Sequence, residues 1–170
     1  DAQTQAGSLT VTQVAGGTAS GIAVAGITNT AGTIAATLAA SCSATTGTVR
    51  FQVSDGGLNG TGDLQLDVAA NTGPMLAYAN QSVGSGGGAV IDPASGPGDN
   101  GLVATVVVQS PGTYTGAISV DAAGVVTLAN AAPPGAHTIT IRATDNCAAG
   151  TDASFTLAVG ADGVFADGFE

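Results

Sequence analysis

Turn-forming residues cut this chain into runs too short for long helices. Gly16-Gly17, Asp55-Gly56-Gly57, Asn59-Gly60, the stretch from Gly84 to Gly88, Pro93 to Gly101 and Pro133-Pro134-Gly135 interrupt it at short intervals. Glycine and asparagine accept backbone angles that other residues avoid, and proline fixes its own φ and lacks an N–H donor. The runs between these breaks carry β-type residues near 9–15, 20–28, 33–41, 47–54, 62–70, 75–80, 88–91, 102–109, 113–120, 124–129, 137–144 and 153–159. Many short strands at this spacing predict an all-β sandwich. One stretch competes: in 33–41 (TIAATLAAS), Ile34 and Leu38 stand one helical turn apart among alanines. It parallels 138–144, where Ile139, Ile141 and Ala143 alternate, and is therefore read as a strand.

The side chains available for a core are small. Apolar residues make up 44% of the chain, mostly Ala and Val, with no Trp. That content argues against disorder, which goes with low hydrophobicity and high charge. Charged residues are only 8%, against about 25% in ordinary globular domains. Twelve acidic residues face two basic ones, Arg50 and Arg142, and no Lys, for a net charge of −10. A phosphate backbone or an anionic lipid surface needs clustered Lys or Arg, so nucleic acid and acidic membranes are excluded as expected partners. The apolar stretch 102–108 is far below the ~18 residues of a membrane span and suits a buried strand.

A segment recurs. The run 138–147 ends in Cys147 and is followed by Thr151, Phe155 and Leu157; the run 33–42 ends in Cys42 and is followed by Thr48, Phe51 and Val53. The cysteines lie 105 residues apart (147 − 42) and the phenylalanines 104 (155 − 51). Recurrence of this kind signals a repeated structural module. The expected division is a truncated module over 1–72, a fuller one over 73–160, and an acidic-aromatic tail over 161–170. The first has five strand candidates and no counterpart of 78–101, which leaves open sheet edge and apolar surface for something else to cover.

The pieces Asn71-Thr-Gly-Pro74, Tyr78-Ala-Asn-Gln-Ser82, Gly96-Pro-Gly-Asp-Asn-Gly101, Gly112-Thr-Tyr-Thr-Gly116, Ile118-Ser-Val-Asp121, Pro134-Gly-Ala-His-Thr138 and Ala143-Thr-Asp-Asn-Cys147 resemble tandem Ig-like repeats of secreted bacterial surface proteins, of the cadherin-like or HYR-like kind. The resemblance covers roughly two thirds of the chain. It implies two Ig-like β-sandwich modules, the first truncated, with a spacer, adhesion or assembly role and no enzyme activity.

Cys42 and Cys147 are the disulfide candidates, each expected just after a strand and before a hairpin return. A bond within the chain, a bond between molecules and free thiols all remain open, because a disulfide requires Cα atoms within about 7 Å. No basic residue lies beside either cysteine to activate it. The single His137 opens a strand after a proline turn and reads as structural, since no nucleophile motif accompanies it. Calcium has weak candidate ligands in Asp92, Asp99, Asn100, Asp121 and Asp145, without EF-hand spacing; these residue types also cap turns for local reasons. No other cofactor is expected.

The expected function is non-enzymatic: an extracellular or cell-surface structural subunit, exported with its signal removed, that self-associates into a filament or adhesin. Lacking Lys, the chain cannot use Lys–Asn isopeptide or sortase linkage. Strand addition or apolar docking is left, with Leu9, Val11, Phe165 and Phe169 as assembly candidates. A homopolymer, with a further partner on a cell surface, follows. The alternative is a ligand- or glycan-binding Ig-like module at the end of a larger secreted protein, with Tyr78 and Tyr114 as the aromatics a sugar would stack on.

Overall fold

The computed structural model describes residues 5–161. The protein is all-β: apart from one short 3-10 turn at Ala6–Ser8, its regular elements are strands. They are β1 (Thr10–Val14), β2 (Ile22–Thr30), β3 (Thr33–Ala40), β4 (Gly47–Ser54), β5 (Asn59–Leu66), β6 (Met75–Ala77), β7 (Gln81–Gly84), β8 (Ala89–Ile91), β9 (Ser95–Gly98), β10 (Val103–Ser110), β11 (Ala117–Val120), β12 (Val126–Ala129), β13 (Gly135–Asp145) and β14 (Gly150–Gly160). The chain divides into two compact units, Asp1–Ala70 and Asn71–Glu170. Among the described residues no helix is long and apolar enough to cross a membrane.

Unit 2 closes a core. One sheet runs β10-β13-β14-β7 and another β11-β12-β8, while β6 pairs with β9. Alternation along the strands aims one set of side chains inward. On β13, His137, Ile139, Ile141, Ala143 and Asp145 are buried, and on β14 Ala153, Phe155, Leu157 and Val159. Leu76 of β6, Ile91 of β8 and Val126 and Leu128 of β12 complete the cluster. β14 is covered on its outer edge by β7, which runs parallel to it from Leu157↔Gln81 to Gly160↔Gly84. Two sheets, a central hairpin and a parallel edge strand make this an Ig-type sandwich.

Unit 1 repeats part of that plan. Its three-stranded sheet is β1-β4-β5, and β2 and β3 form a separate hairpin. Every pairing is antiparallel, as in β10-β13-β14 and β11-β12. The order along the chain is also the same: a sheet strand, a two-strand hairpin, then two more sheet strands. Nothing among the described residues of unit 1 matches β6 to β9.

The equivalence differs in register from the cysteine-centred repeat. β13 and β14 are hairpin partners, but β3 and β4, the strands flanking Cys42, lie in different sheets. Cys42 therefore precedes a crossover rather than a hairpin return. The physical cause is the turn. Asp145 closes the β13–β14 turn by accepting from the backbone N–H of Cys147 and Ala149, both at 2.8 Å. The residue two before Cys42 is Ala40, which cannot cap anything. The true counterpart of Asp145 is Asp55, which accepts from Gly57 (2.8 Å) and Leu58 (2.6 Å) in the β4–β5 turn. Asn59-Gly60, expected as a turn, consequently opens β5, and that strand covers 59–66 rather than 62–70. The expected loop at 93–101 contains β9, and β7 was not foreseen either; both are four-residue edge strands with little apolar signal.

The two arginines mark the shared register. Arg50 and Asp63 are directly opposed on β4 and β5, as Arg142 and Asp152 are on β13 and β14. Each arginine grips its carboxylate in two places, Nε–Oδ1 at 2.7 Å and Nη2–Oδ2 at 2.8 Å. Paired like this, Val49↔Leu64 corresponds to Ile141↔Ala153.

Candidate functional site

The strand equivalence shows what unit 1 lacks. In unit 2 the outer edges of β14 and β12 are paired, to β7 and β8 respectively. In unit 1 the corresponding edges belong to β5 and β3, which have no second partner among the described residues. Between those two edges runs an apolar groove of about 490 Å³, lined by Ile34 and Leu38 of β3, Phe51 and Val53 of β4, and Leu64 of β5. That volume lies within the ~300–1,000 Å³ of ordinary binding pockets.

Exposure measures how open the groove is. Leu64 is 44% exposed, whereas its counterpart Ala153 is 6% exposed. Ile34 and Leu38 are 46% and 38% exposed. Every residue of β3 is exposed, as are seven of the eight in β5. Val49 is the buried large apolar side chain of unit 1, under the middle of its sheet. Among the described residues these apolar side chains, on the inner face of a sheet, have no cover.

Of the assembly candidates, Leu9 and Val11 are used within unit 1. Val11 pairs with Val53 in β1–β4, and the Leu9 carbonyl accepts from the Asn29 side-chain amide at 2.9 Å. Phe165 and Phe169 lie outside the described residues. Neither cysteine is a free thiol.

Of the calcium candidates, Asp99, Asp121 and Asp145 accept from backbone N–H groups in turns. Asp121 accepts from the N–H of Ala123 and Val125, both at 2.9 Å. Asp99 accepts from Gly101 at 3.1 Å, next to Asn100, and its other oxygen is buried without a protein partner. Asp92 follows β8 directly. Asp145 is 2% exposed and, besides its two backbone donors, accepts from the Asn71 amide at 2.7 Å. No cluster of three or more acidic, His or Cys residues able to hold a metal occurs among the described residues.

Burial alone would raise the pKa of Asp145, but the Asn71 amide and the N–H groups of Ala149 and Cys147 outweigh it and leave the carboxyl below its ordinary 3.8. A carboxylate depressed on folding contributes stability that is present above the unfolded value and lost as pH falls through the folded one. Acidification below about pH 4 should therefore loosen the β13–β14 turn. In Asp145→Asn that contribution is absent throughout, so the acid limb of a melting-temperature profile becomes shallower. An unchanged acid limb would remove this role.

His137 is 2% exposed and sits under the proline turn. Its Nε2 is 2.7 Å from the Pro133 carbonyl and its Nδ1 is 2.7 Å from the Thr113 hydroxyl. A carbonyl can only accept, so Nε2 donates to Pro133, and Nδ1 shares a hydrogen bond with the Thr113 hydroxyl. The ring also meets Tyr114 edge-on at 5.8 Å.

Tyr114 is closed to a stacking sugar, and Tyr78 is partly buried. Tyr114 is 4% exposed, and its hydroxyl donates to the Ala129 carbonyl at 3.2 Å. Tyr78 packs on Phe155 with ring centroids 5.2 Å apart and donates to the Gly124 carbonyl at 2.6 Å. Burial, with the nearby Asp121 charge, pushes the Tyr78 phenol up to about 12. Sequence gave the tyrosines as surface candidates because aromatic content alone does not show which face of a strand a residue occupies.

No protein-family model matches the chain, and no curated protein matches it. Among solved structures, it is similar to the extracellular cadherin domains 3–6 of protocadherin gamma B2, with 16% identity over 90% of this chain and 41% of that one, at a TM-score of 0.43. A SusE-like surface-located polysaccharide-binding protein from Bacteroides thetaiotaomicron matches at 10% identity over 84% of this chain and 36% of that one, with a TM-score of 0.36. An endo-fucoidan hydrolase of glycoside hydrolase family 107 matches at 17% identity over 90% of this chain and 24% of that one, with a TM-score of 0.37. The chain thus spans less than half the length of each. With scores below 0.5, these likenesses decide nothing about function.

Proposed function

We propose that this chain is a non-enzymatic structural subunit, working outside the cell or at its surface, that associates with copies of itself by adding a strand to unit 1. One observation carries the reading: a five-stranded half-sandwich whose apolar groove lies open between two unpaired edges. An added strand supplies main-chain hydrogen bonds to the edge and side chains to the groove without needing charged groups. That suits a chain with 8% charged residues and no Lys. Absence of a free thiol fits an oxidising compartment. A filament or adhesin is the assembly that repeated one-way addition would build. The alternative of a glycan-binding module loses Tyr114 to the core of unit 2, and Tyr78 packs partly buried against that core.

Sedimentation at increasing protein concentration, with electron microscopy of the native material, tests the proposal. The expected result is a mass that rises with concentration and elongated particles. A single 16.0 kDa species at every concentration defeats it.

A further inference from the structure

The sequence holds two Asn-Gly pairs, Asn59-Gly60 and Asn100-Gly101, and the fold places them differently. Asn59 and Gly60 open β5, opposite Ser54 and Val53 of β4. The turn ahead of them is tied by Asp55, which accepts from Gly57 and Leu58. Asn100 and Gly101 belong to no strand; both are exposed in the bend between β9 and β10. The Gly101 N–H donates to Asp99 Oδ2 at 3.1 Å. The other oxygen of Asp99 is buried without a protein partner, and both arginines of the chain are held by other carboxylates, Asp63 and Asp152. A Cβ on Gly101 would meet Asp99 Oδ2 and Asn146 Oδ1, each at 3.3 Å, so bare backbone is what lets the carboxylate close on this nitrogen.

An Asn side chain and the backbone nitrogen that follows it can close into a cyclic imide, and glycine obstructs that closure least because no side chain stands beside its nitrogen. Closure requires rotation about the Asn Cα–C bond. At Asn59 this rotation breaks the pairing of Asn59 and Gly60 with β4, whereas at Asn100 it breaks no strand pairing. The nitrogen must also give up its proton. Asp99 Oδ2 sits on that N–H, within the ~2.6–3.2 Å reach of a general base. An N–H lies in the peptide plane, so the carboxylate leaves clear the face from which the nitrogen attacks. We infer that Asn100-Gly101 is a self-modification site, at which the bend converts Asn100 to aspartate or isoaspartate with Asp99 as base and water as co-reactant. The Gly101 nitrogen bonds to Asn100 Cγ and the Cγ–Nδ2 bond breaks. The Gly101 proton passes through Asp99 to the departing nitrogen, which leaves as ammonia. Water then opens the imide. Addition at Cγ gives aspartate, and addition at the main-chain carbonyl carbon gives isoaspartate, with the main chain rerouted through the former side chain. No electron is transferred, and the net charge moves from −10 to −11 (−10 − 1). The reaction is independent of self-association.

The test incubates the full chain folded at neutral pH, beside a sample held unfolded in guanidinium chloride. Trypsin then cuts at Arg50 and Arg142 and releases 51–142, so that one peptide carries both pairs. Fragmentation mass spectrometry assigns each conversion to Asn59 or Asn100, and labelling by an isoaspartate methyltransferase measures the rerouted product. In the folded chain Asn100 should convert at least about tenfold faster than Asn59, and unfolding should erase the difference by releasing Asn59 from its strand. Equal rates in the folded chain, or faster conversion at Asn59, overturn the site. Asp99→Asn should slow conversion at Asn100 at least about tenfold in the folded chain and leave Asn59 as it was. Unchanged conversion at Asn100 in that variant overturns Asp99 as the base. Should circular dichroism show that Asp99→Asn loses its strands, the wild-type samples decide: conversion of Asn100 that is slower folded than unfolded overturns any assistance from the bend. Asn100→Gln, at an exposed position, should remove the fast phase of acidic drift on ion exchange. A fast phase that persists in this variant puts the modification elsewhere and overturns the inference.

Discussion

Replacing Ile141 by Ala should destabilise unit 2 by about 2–5 kcal/mol, while Leu38→Ala should cost unit 1 less than about 1 kcal/mol. The two side chains look alike in sequence: each is a branched aliphatic on a strand near a cysteine. Ile141 is fully buried on β13, between β10 and β14 in the sheet. Truncating it leaves a cavity that the surrounding strands cannot close. Leu38 is 38% exposed beside the open groove, so its removal leaves no enclosed void. Amide hydrogen exchange resolved by residue would follow each unit separately in urea. Equal losses in the two variants would mean that unit 1 has a closed core, and the groove would have to be given up.

His137→Ala should cost unit 2 about 3 kcal/mol, through a cavity and two stranded polar groups. The imidazole ties the Thr113 hydroxyl to the Pro133 carbonyl, both at 2.7 Å, and so fixes the Pro133-Pro134 turn against the loop before β11. His137→Phe separates the two terms. It keeps most of the volume but leaves both hydrogen-bond partners unpaired, and should still cost about 1–3 kcal/mol. Thermal melts of the two variants measure this. A His137→Phe protein as stable as the wild type would show that packing alone holds the ring.

Self-association leaves the Ile141 and His137 results unchanged, since both residues lie in the closed unit, whereas Leu38→Ala is read at concentrations where the chain is monomeric. What they establish is the asymmetry on which the proposed function depends. One unit holds its stability internally, and the other presents an unfilled face.

Much of the fold was legible in residue pattern. Gly, Pro and Asx breaks separate runs whose alternation, as at Ile139, Ile141 and Ala143, can only be satisfied by a strand with one buried face. Even the ambiguous 33–41 formed β3, because alanine's helical preference is a few tenths of a kcal/mol per residue and pairing with β2 outweighs it. The short edge strands β7 and β9 left no trace, since Gln81–Gly84 and Ser95–Gly98 hold too few apolar residues to alternate and depend on pairing with a neighbour.

The repeat shows where sequence stopped. Matching cysteines suggested one register, and the arginine–aspartate pairs revealed another. A cysteine's position tells nothing of which strand lies beside it, whereas Arg50–Asp63 and Arg142–Asp152 each bridge two strands and so report the pairing itself. Composition and turn spacing by themselves determined a strand-built, charge-poor chain with a small-side-chain core. Only the tertiary structure decided which apolar residues are covered, because burial depends on a neighbouring strand being present, and among the described residues β3 and β5 lack the second partner that β12 and β14 have.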